Sequence, residues 1–298
     1  MKNQNHQHRV LRGGIHTVSI TSNDIPKRIT DPLRRCGINP HSNSEIADQD
    51  QSYNSKVNPN HYGGEIRSLQ DFNRTMTSIQ GELGIRSFKY TRVDFSLDNF
   101  VPESYDCYLK LNKWIIQMLA MDHDTKSLYQ AFDPMTFQNL TIRMDAEYFQ
   151  AEFYNKNIES NGKSPVHSRL ELRSKRMTKT NRGVLGELNL WCKRLRALPK
   201  WNKDFHDICN KLLHDRWKIE SASGEVKNKA EFIRKYQGNI FTDQQLIDFC
   251  KLLGSTEKYA RELKYRHGLE TYTVSDLEEY IEQIAEEIIK YTAEDSNP

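Results

Sequence analysis

The stretch "FQAEFYNK" (Phe149–Lys156) carries the periodicity that decides the fold. Its odd-numbered positions up to 153 are aromatic or apolar, and its even-numbered positions are Gln, Glu, Tyr and Lys. Side chains of a β-strand alternate between two faces with a period of two. A strand here therefore has one apolar face and one face that presents a carboxylate, a phenol and an ammonium group.

Three further runs follow the same rule, namely "TRVDFSLD" (Thr91–Asp98), "LTIRM" (Leu140–Met144) and "RLELRSK" (Arg169–Lys175). Such alternation is typical of an antiparallel sheet with one face on the core and one face in water. Two stretches with apolar residues at helical spacing, Leu69–Gly84 and Glu103–Met121, are predicted to be amphipathic helices that cover the apolar face. The sequence predicts an α+β fold, an antiparallel sheet with helices on one face.

The 298 residues allow one large domain or two modest ones. We predict an irregular segment with one strand at 1–65, a sheet domain at 66–203 and an all-helical domain at 204–298. Within the first segment "GIHTVSI" (Gly14–Ile20) is the predicted strand, 24–37 a short helix or turn, and the stretch 39–61, rich in Asn, Ser and Gln, a long exposed loop. The final helix is expected to pack on the helical domain.

Charge is segregated along the chain although the net charge is only +3. Residues 169–203 contain eleven basic residues against Glu171 and Glu187, whereas the region after His267 is strongly acidic. A basic block of this density indicates either a nucleic-acid footprint or a solvated helix face.

Several classes of protein are disfavoured by composition. No apolar run is long enough to span a membrane, and the polar start "MKNQNHQH" has no signal-peptide core, so a cytosolic protein without a membrane partner is expected. Five scattered cysteines without a CxxC pair indicate reduced thiols rather than a disulfide framework or a zinc ribbon.

The polar face of the predicted sheet is rich in acidic residues. Asp94, Asp98, Glu152 and Glu171 share it, and their mutual repulsion requires nearby cations. One interpretation is a bound Mg²⁺ or Mn²⁺ with Asp94, Asp98 and Glu171 as ligands. The other is a network in which arginines alone neutralise the carboxylates.

A tyrosine beside such a cluster suggests transesterification of a phosphodiester. The phenol of Tyr154 would attack phosphorus, and Lys156, on the same face, would favour the phenolate. The alternative is that Tyr154 is an ordinary strand aromatic. The basic side chains expected to contact DNA near it are Arg92, Arg143, Arg169, Arg173, Lys175, Arg176 and Lys179.

The runs "YTRVDFSLD", "FYNKNIE" and "SRLELRSK" resemble, in order, the Arg-Ile-Asp, Tyr-x-Lys and Arg-Phe-Glu motifs of rolling-circle replication initiators. These are the Rep_trans type of small Gram-positive plasmids and the related filamentous-phage initiators. The resemblance covers about 87–176 and implies an HUH-endonuclease-like palm. It also implies a metal-dependent enzyme that nicks one origin strand through a tyrosine, becomes linked to the 5′ phosphate and frees a 3′ primer.

By this resemblance Tyr154 is in the position of the nucleophile, Lys156 in that of the family lysine, and Asp94 and Glu171 in those of the acidic motif residues. The His-hydrophobe-His metal motif of classical relatives is absent, which implies an all-carboxylate site. The other histidines are interpreted as surface or capping groups. The implied partners are single-stranded and duplex origin DNA, a host helicase and a second copy of the chain.

Two alternatives to a replication initiator stay open. A mobilisation relaxase uses the same chemistry at a transfer origin, and a non-catalytic DNA-binding regulator keeps the sheet but not the reaction.

The helical region has its own candidate for DNA binding. Thr242–Gly254 and Ser255–Gly268 resemble a helix-turn-helix, with Lys258, Arg261 and Lys264 on the second helix. A helical lid or a dimerisation element is the alternative.

Overall fold

The computed structural model describes residues 11–22, 38–41, 53–64, 66–101, 105–122, 125–132 and 139–293. The helix or turn predicted at 24–37 lies outside these residues.

The described residues form one mixed sheet-and-helix body. Its strands are β1 (Leu11–Ser22), β2 (Ile38–His41), β3 (Tyr53–Val57), β4 (Lys89–Asn99), β5 (Thr125–Phe132), β6 (Asn139–Ala146), β7 (Phe149–Asn155) and β8 (Ser168–Lys175). They pair in the order β2-β3-β1-β4-β8-β7-β6-β5, and every neighbouring pair is antiparallel. The predicted antiparallel sheet is confirmed.

The helices follow in chain order. They are α1 (Pro59–Gly63), α2 (Leu69–Glu82), α3 (Tyr105–Asp122), α4 (Lys156–Glu159), α5 (Met177–Thr180), α6 (Gly183–Ala197), α7 (Asn202–Ser223), α8 (Lys229–Tyr236), α9 (Asp243–Leu252), α10 (Glu257–His267) and α11 (Val274–Thr292). Short 3-10 turns at Leu198–Trp201 and Gln237–Asn239 lead into α7 and out of α8. No helix in the described ranges is both long enough and apolar enough to cross a membrane.

The two faces of the sheet have the predicted composition. Val93, Phe95 and Leu97 of β4 are buried in one core with Leu170 and Leu172 of β8. Buried residues of α2, α3, α6 and α11 belong to the same core, so these helices cover the apolar face. The polar residues of the same strands lie on the opposite face, where the candidate site is.

The prediction for the N-terminal segment is wrong in one respect. The stretch 39–61, predicted to be a loop, contains the end of β2, all of β3 and most of α1, so the described residues of 1–65 include three strands rather than one. Ser55 and Val57 are fully buried although the stretch is polar. These strands are short and have few apolar residues, so their stability comes from the pairing of β3 with β1 and of β2 with β3, which local periodicity cannot indicate.

The last helix also packs differently from the prediction. Buried residues of α11 belong to the sheet core, whereas a second core, formed by α7 to α10, contains Phe232, Phe249 and Leu263. The Tyr291 ring packs edge-on against the Phe95 ring, with 5.4 Å between the ring centres. Because the apolar stripe of α11 matches a sheet surface as well as it matches another helix, its partner could not be predicted from the stripe.

Candidate active site

The polar face of three adjacent strands carries three cross-strand rows. Antiparallel pairing of β7, β8 and β4 aligns Tyr154, Arg169 and Asp98 in the first row, Glu152, Glu171 and Ser96 in the second, and Gln150, Arg173 and Asp94 in the third. Directly opposed side chains in such a sheet are close enough to bond. The register therefore brings together all three predicted acidic ligands, the predicted nucleophile and two of the predicted DNA-contacting arginines.

The phenol of Tyr154 is engaged with a carboxylate. Its hydroxyl donates a hydrogen bond to Glu171 Oε1 at 2.9 Å. Burial, and then the charge of Glu171, raise the pKa of Tyr154 well above its ordinary value, while Arg169 acts in the opposite direction. A free phenolate is disfavoured here, so an attack by this oxygen requires that Glu171 take its proton as the bond forms.

One nitrogen of the Arg169 guanidinium group makes no hydrogen bond to the residues that the structure describes. Its Nε and Nη2 donate to the two oxygens of Asp98 at 2.6 and 2.8 Å. Its Nη1 lies 3.8 Å from Glu171 Oε1 and has no hydrogen-bond partner in the described part of the chain, although the residue is only 6% exposed. A buried donor without a partner is costly, and it is well placed to bind an anion beside Tyr154.

Arg173 neutralises the next cluster of carboxylates. Its Nε lies 3.1 Å from Asp94 Oδ1, and its Nη2 lies 3.0 Å from Glu171 Oε2 and 4.0 Å from Glu152 Oε2. Arg92 also binds Asp94, with its Nε 2.7 Å from Oδ1. Burial raises the pKa of Glu152, which Arg173 partly offsets.

The predicted metal ligands are bound by arginines in this arrangement. Asp94, Asp98 and Glu171 each accept hydrogen bonds from arginines. Within the described ranges no group of three or more His, Cys, Asp or Glu side chains is placed to hold a metal ion. These hydrogen bonds are those expected of the arginine-paired alternative, and the divalent metal stays a prediction.

Lys156 is not in the strand as predicted. It begins α4, and its Nζ donates to Glu159 at 2.6 Å while lying 5.7 Å from the centre of the Tyr154 ring. The cation that favours the phenolate of Tyr154 is Arg169. The Asn155 side chain caps the start of α4, which explains why the strand ends there.

The remaining predicted DNA-contacting residues of the sheet domain divide into two groups. Lys175 pairs with Asp145, Arg176 pairs with Glu147, and Arg143 lies opposite Glu152 across β6 and β7. Lys179, by contrast, is exposed and has no ion-pair partner among the described residues. Contacts of these residues with DNA stay a prediction.

The helical candidate has the expected elements, α9 and α10, with Gly254 in the turn between them. Arg261 pairs with Glu257, and Lys264 Nζ lies 2.6 Å from Asp243. Lys258 is exposed and has no ion-pair partner in the described part of the chain, and Tyr265 on the same helix is 91% exposed. The role of this pair in DNA binding stays a prediction.

One residue of the site was missed by sequence reasoning. His16 of β1, interpreted as a surface or capping group, lies near the polar face, where Arg169, Glu171, Asp98 and Lys156 all influence its pKa. The local signal for this placement is the spacing of Ile15 and Val18, which are both buried and three positions apart. Residues on one face of a regular strand are an even number of positions apart.

Comparison with known proteins gives little. No protein-family model matches the chain, and no curated protein matches it. Among solved structures it is similar to a rolling circle replication initiator protein from Geobacillus stearothermophilus. That likeness has 14% sequence identity and a TM-score of 0.30, over 56% of this chain and 75% of that chain. At this TM-score it bears on neither activity nor ligands.

Proposed function

We propose that this protein is a DNA strand transferase that nicks one strand through Tyr154. The observation that carries the proposal is the Tyr154–Glu171 hydrogen bond of 2.9 Å beside the spare N–H of Arg169. A nucleophile, a proton acceptor and an anion-binding donor thus lie together on the polar face of the sheet.

The chemistry needs only groups that the chain supplies. Tyr154 Oη forms a bond to phosphorus while its proton passes to Glu171 Oε1. The bond between phosphorus and the 3′ oxygen breaks, which leaves a 5′ phosphate on the tyrosine and a free 3′ end. The Arg169 Nη1 group faces the site where negative charge develops, and a fixed donor there stabilises the transition state.

The biological setting that we favour is a replication origin of a plasmid or phage, because the order of the three motifs in the sequence resembles that of rolling-circle initiators. A mobilisation relaxase performs the same reaction at a transfer origin and is the second candidate. The host helicase, the dimer and the divalent metal stay predictions.

The test uses single-stranded oligonucleotides of random sequence, each with a 3′ fluorophore, so that the origin sequence need not be known. Purified full-length protein with Mg²⁺ or Mn²⁺ is expected to retain the fluorophore in denaturing gels, because the 5′ phosphate of the labelled fragment is attached to it. Tyr154→Phe should abolish this adduct and leave DNA binding within about twofold, since only the hydroxyl is lost. Sequencing the attached strands identifies the preferred site.

Tyr148→Phe is the matched control, because Tyr148 is 41% exposed at the turn before β7 and loses the same atom. An adduct that survives in Tyr154→Phe but not in Tyr148→Phe would move the nucleophile. DNA binding without any adduct in the unmodified protein would favour the non-catalytic regulator. An adduct that forms equally well in EDTA would refute the predicted divalent metal.

A further inference from the structure

A β-bulge in β1 directs an extra residue to the polar face. The pairing with β4 runs Ile15 to Phe95 and then Thr17 to Asp94, so His16 has no partner of its own. Ile15 and Val18 are both buried, at 1% and 0% exposure, on the apolar face. His16 and Thr17 therefore both lie on the opposite face, and bulges of this kind often re-aim a side chain at a functional site.

The imidazole of His16 is held by one ring nitrogen. Its Nδ1 lies 2.8 Å from Thr17 Oγ1. The other ring nitrogen, Nε2, has no hydrogen-bond partner among the residues that the structure describes. The half-buried ring thus presents one open nitrogen on the face that carries Tyr154.

The charges around His16 are those of the candidate site. Burial and then Arg169 lower the pKa of His16, Glu171 and Asp98 raise it, and Lys156 lowers it further. These groups come from β8, from β4 and from α4. The balance leaves a neutral imidazole at pH 7 in the free protein, a form that can accept a proton.

The strand order places His16 across the site from the nucleophile. Tyr154 is on β7 and His16 on β1, three strand spacings or about 14 Å apart across the sheet. Along the strands, His16 is level with the row of Arg173 and Asp94, whereas Tyr154 is level with Arg169 and Asp98. The Tyr154 hydroxyl reaches inward to Glu171, and the His16 ring is held by Thr17 on the other side of Arg169. Arg169 and Glu171 influence the pKa of both side chains, so His16 and Tyr154 adjoin one common group of charges.

We propose that His16 is a further catalytic residue, the acid–base group for the 3′ oxygen of the DNA strand. This inference rests on the proposed function, because it assumes that Tyr154 attacks the phosphodiester. In nicking, protonated His16 gives its Nε2 proton to the 3′ oxygen as the bond between that oxygen and phosphorus breaks. In joining, neutral His16 takes the proton from the 3′ hydroxyl as it attacks the phosphotyrosine, and the proton on Glu171 returns to Tyr154 Oη. The bound phosphate raises the basicity of the ring and so supplies the protonated form.

The experiment compares two leaving groups. One oligonucleotide carries the ordinary 3′ oxygen at the nicked position, and the other carries a bridging 3′ sulfur, which departs as a thiolate and needs no proton. We expect His16→Asn to slow nicking of the oxygen substrate by about 100-fold or more. Nicking of the sulfur substrate should fall less than about threefold, because Tyr154, Glu171 and Arg169 are unchanged.

Two further variants secure the result. His16→Asn retains a polar atom toward Thr17, whereas His16→Gln places a polar atom near the position of Nε2. If both variants nick only the oxygen substrate slowly, the cause is the lost proton transfer and not a lost contact. His267→Gln, at an exposed position of α10, should affect neither substrate. Melting curves of each protein establish that it is folded.

An equal loss on both substrates would overturn the proposal and make His16 a structural residue, as would full activity of His16→Asn on the oxygen substrate. Either result leaves the proposed function standing if Tyr154→Phe has abolished the adduct. An adduct in Tyr154→Phe would refute the proposed function and this inference together.

Discussion

Replacing Arg173 by Met should destabilise the protein far more than the same change at a surface arginine. Met retains much of the stem of Arg173 but removes the charge that lies between Asp94, Glu171 and Glu152, at 3.1, 3.0 and 4.0 Å. Arg173 is 15% exposed, and Asp94 and Glu171 are 3% and 9% exposed in their side chains. The variant therefore leaves mutually repelling carboxylates in a place that water reaches poorly.

Removing one partner of a buried ion pair costs about 3 to 5 kcal/mol. The lower end applies here, because Arg92 still binds Asp94 and Arg169 still lies 3.8 Å from Glu171. We expect a loss of about 3 kcal/mol in the free energy of unfolding at pH 7.5. Arg176→Met is the matched control, since Arg176 and its partner Glu147 are 43% and 44% exposed, and such pairs contribute about 1 kcal/mol or less.

Urea unfolding at several pH values checks both the size and the cause. Without Arg173, Glu152 loses the cation that offsets the effect of burial, so its pKa in the folded state rises further above its value in the unfolded chain. A raised carboxyl pKa stabilises the folded state at low pH and destabilises it as pH rises, so the deficit should be smaller at pH 5 than at pH 7.5. A deficit that is equal at both pH values, or equal to that of Arg176→Met, would refute the electrostatic reasoning.

The same variant tests the predicted metal. If the carboxylate cluster can take a divalent cation, millimolar Mg²⁺ should stabilise Arg173→Met and leave the unmodified protein unchanged, because Arg173 fills the position of the cation. Equal stabilisation of both proteins would place a metal beside the arginine network rather than within it.

Two other predictions concern DNA affinity and acid stability. Lys179→Ala should lower the slope of log binding constant against log salt concentration by about 0.7 for single-stranded DNA, with little effect on sequence preference. Lys258→Ala should weaken the binding free energy by about 1 to 3 kcal/mol on duplex DNA that contains the nicking site, and by much less on random duplex DNA. An equal loss on both duplexes would exclude base readout by α10. Burial lowers the pKa of His206 to about 4 from 6.5, so stability should fall by up to about 3 kcal/mol as pH drops through that interval. His206→Gln should flatten the dependence of the free energy of unfolding on pH, and the control His267→Gln should not. If this pH dependence is unchanged in His206→Gln, the loss of stability in acid comes from other groups.

The two-faced sheet could be predicted because its signal is local. β4, β7 and β8 alternate apolar and polar residues with few exceptions, and a period of two fixes the face of each side chain. The set of polar residues on the site face followed from this alone. Their pairing did not, because nothing in the sequence says that Asp98 lies opposite Arg169 or that Arg173 reaches Asp94.

His16 shows why the bulge was missed. A bulge shifts the alternation by one residue, so regular counting places Thr17 and His16 on different faces. The correct faces depend on the register between β1 and β4, which are separated by α1, α2 and the short strands β2 and β3. That register is set by pairing over long sequence separations and has no local signature.

The C-terminal helix and the candidate site share strand β1, although the sequence predicted them to lie in different domains. The Gly13 backbone N–H donates to Glu287 of α11 at 3.3 Å, and His16 lies three residues further along the same strand. The buried residues of α11 are Leu277, Tyr280, Ile281, Ile284, Ala285, Ile288 and Tyr291. At about 1.5 to 3 kcal/mol for each large apolar side chain, their burial contributes on the order of 10 kcal/mol, as much as the whole stability of a typical domain. A deletion of all residues after Asn239, as a test of α9 and α10 in DNA binding, would therefore also remove part of the sheet core. Separation of DNA binding from nicking consequently requires point substitutions on the exposed side of α10, with α11 left in place.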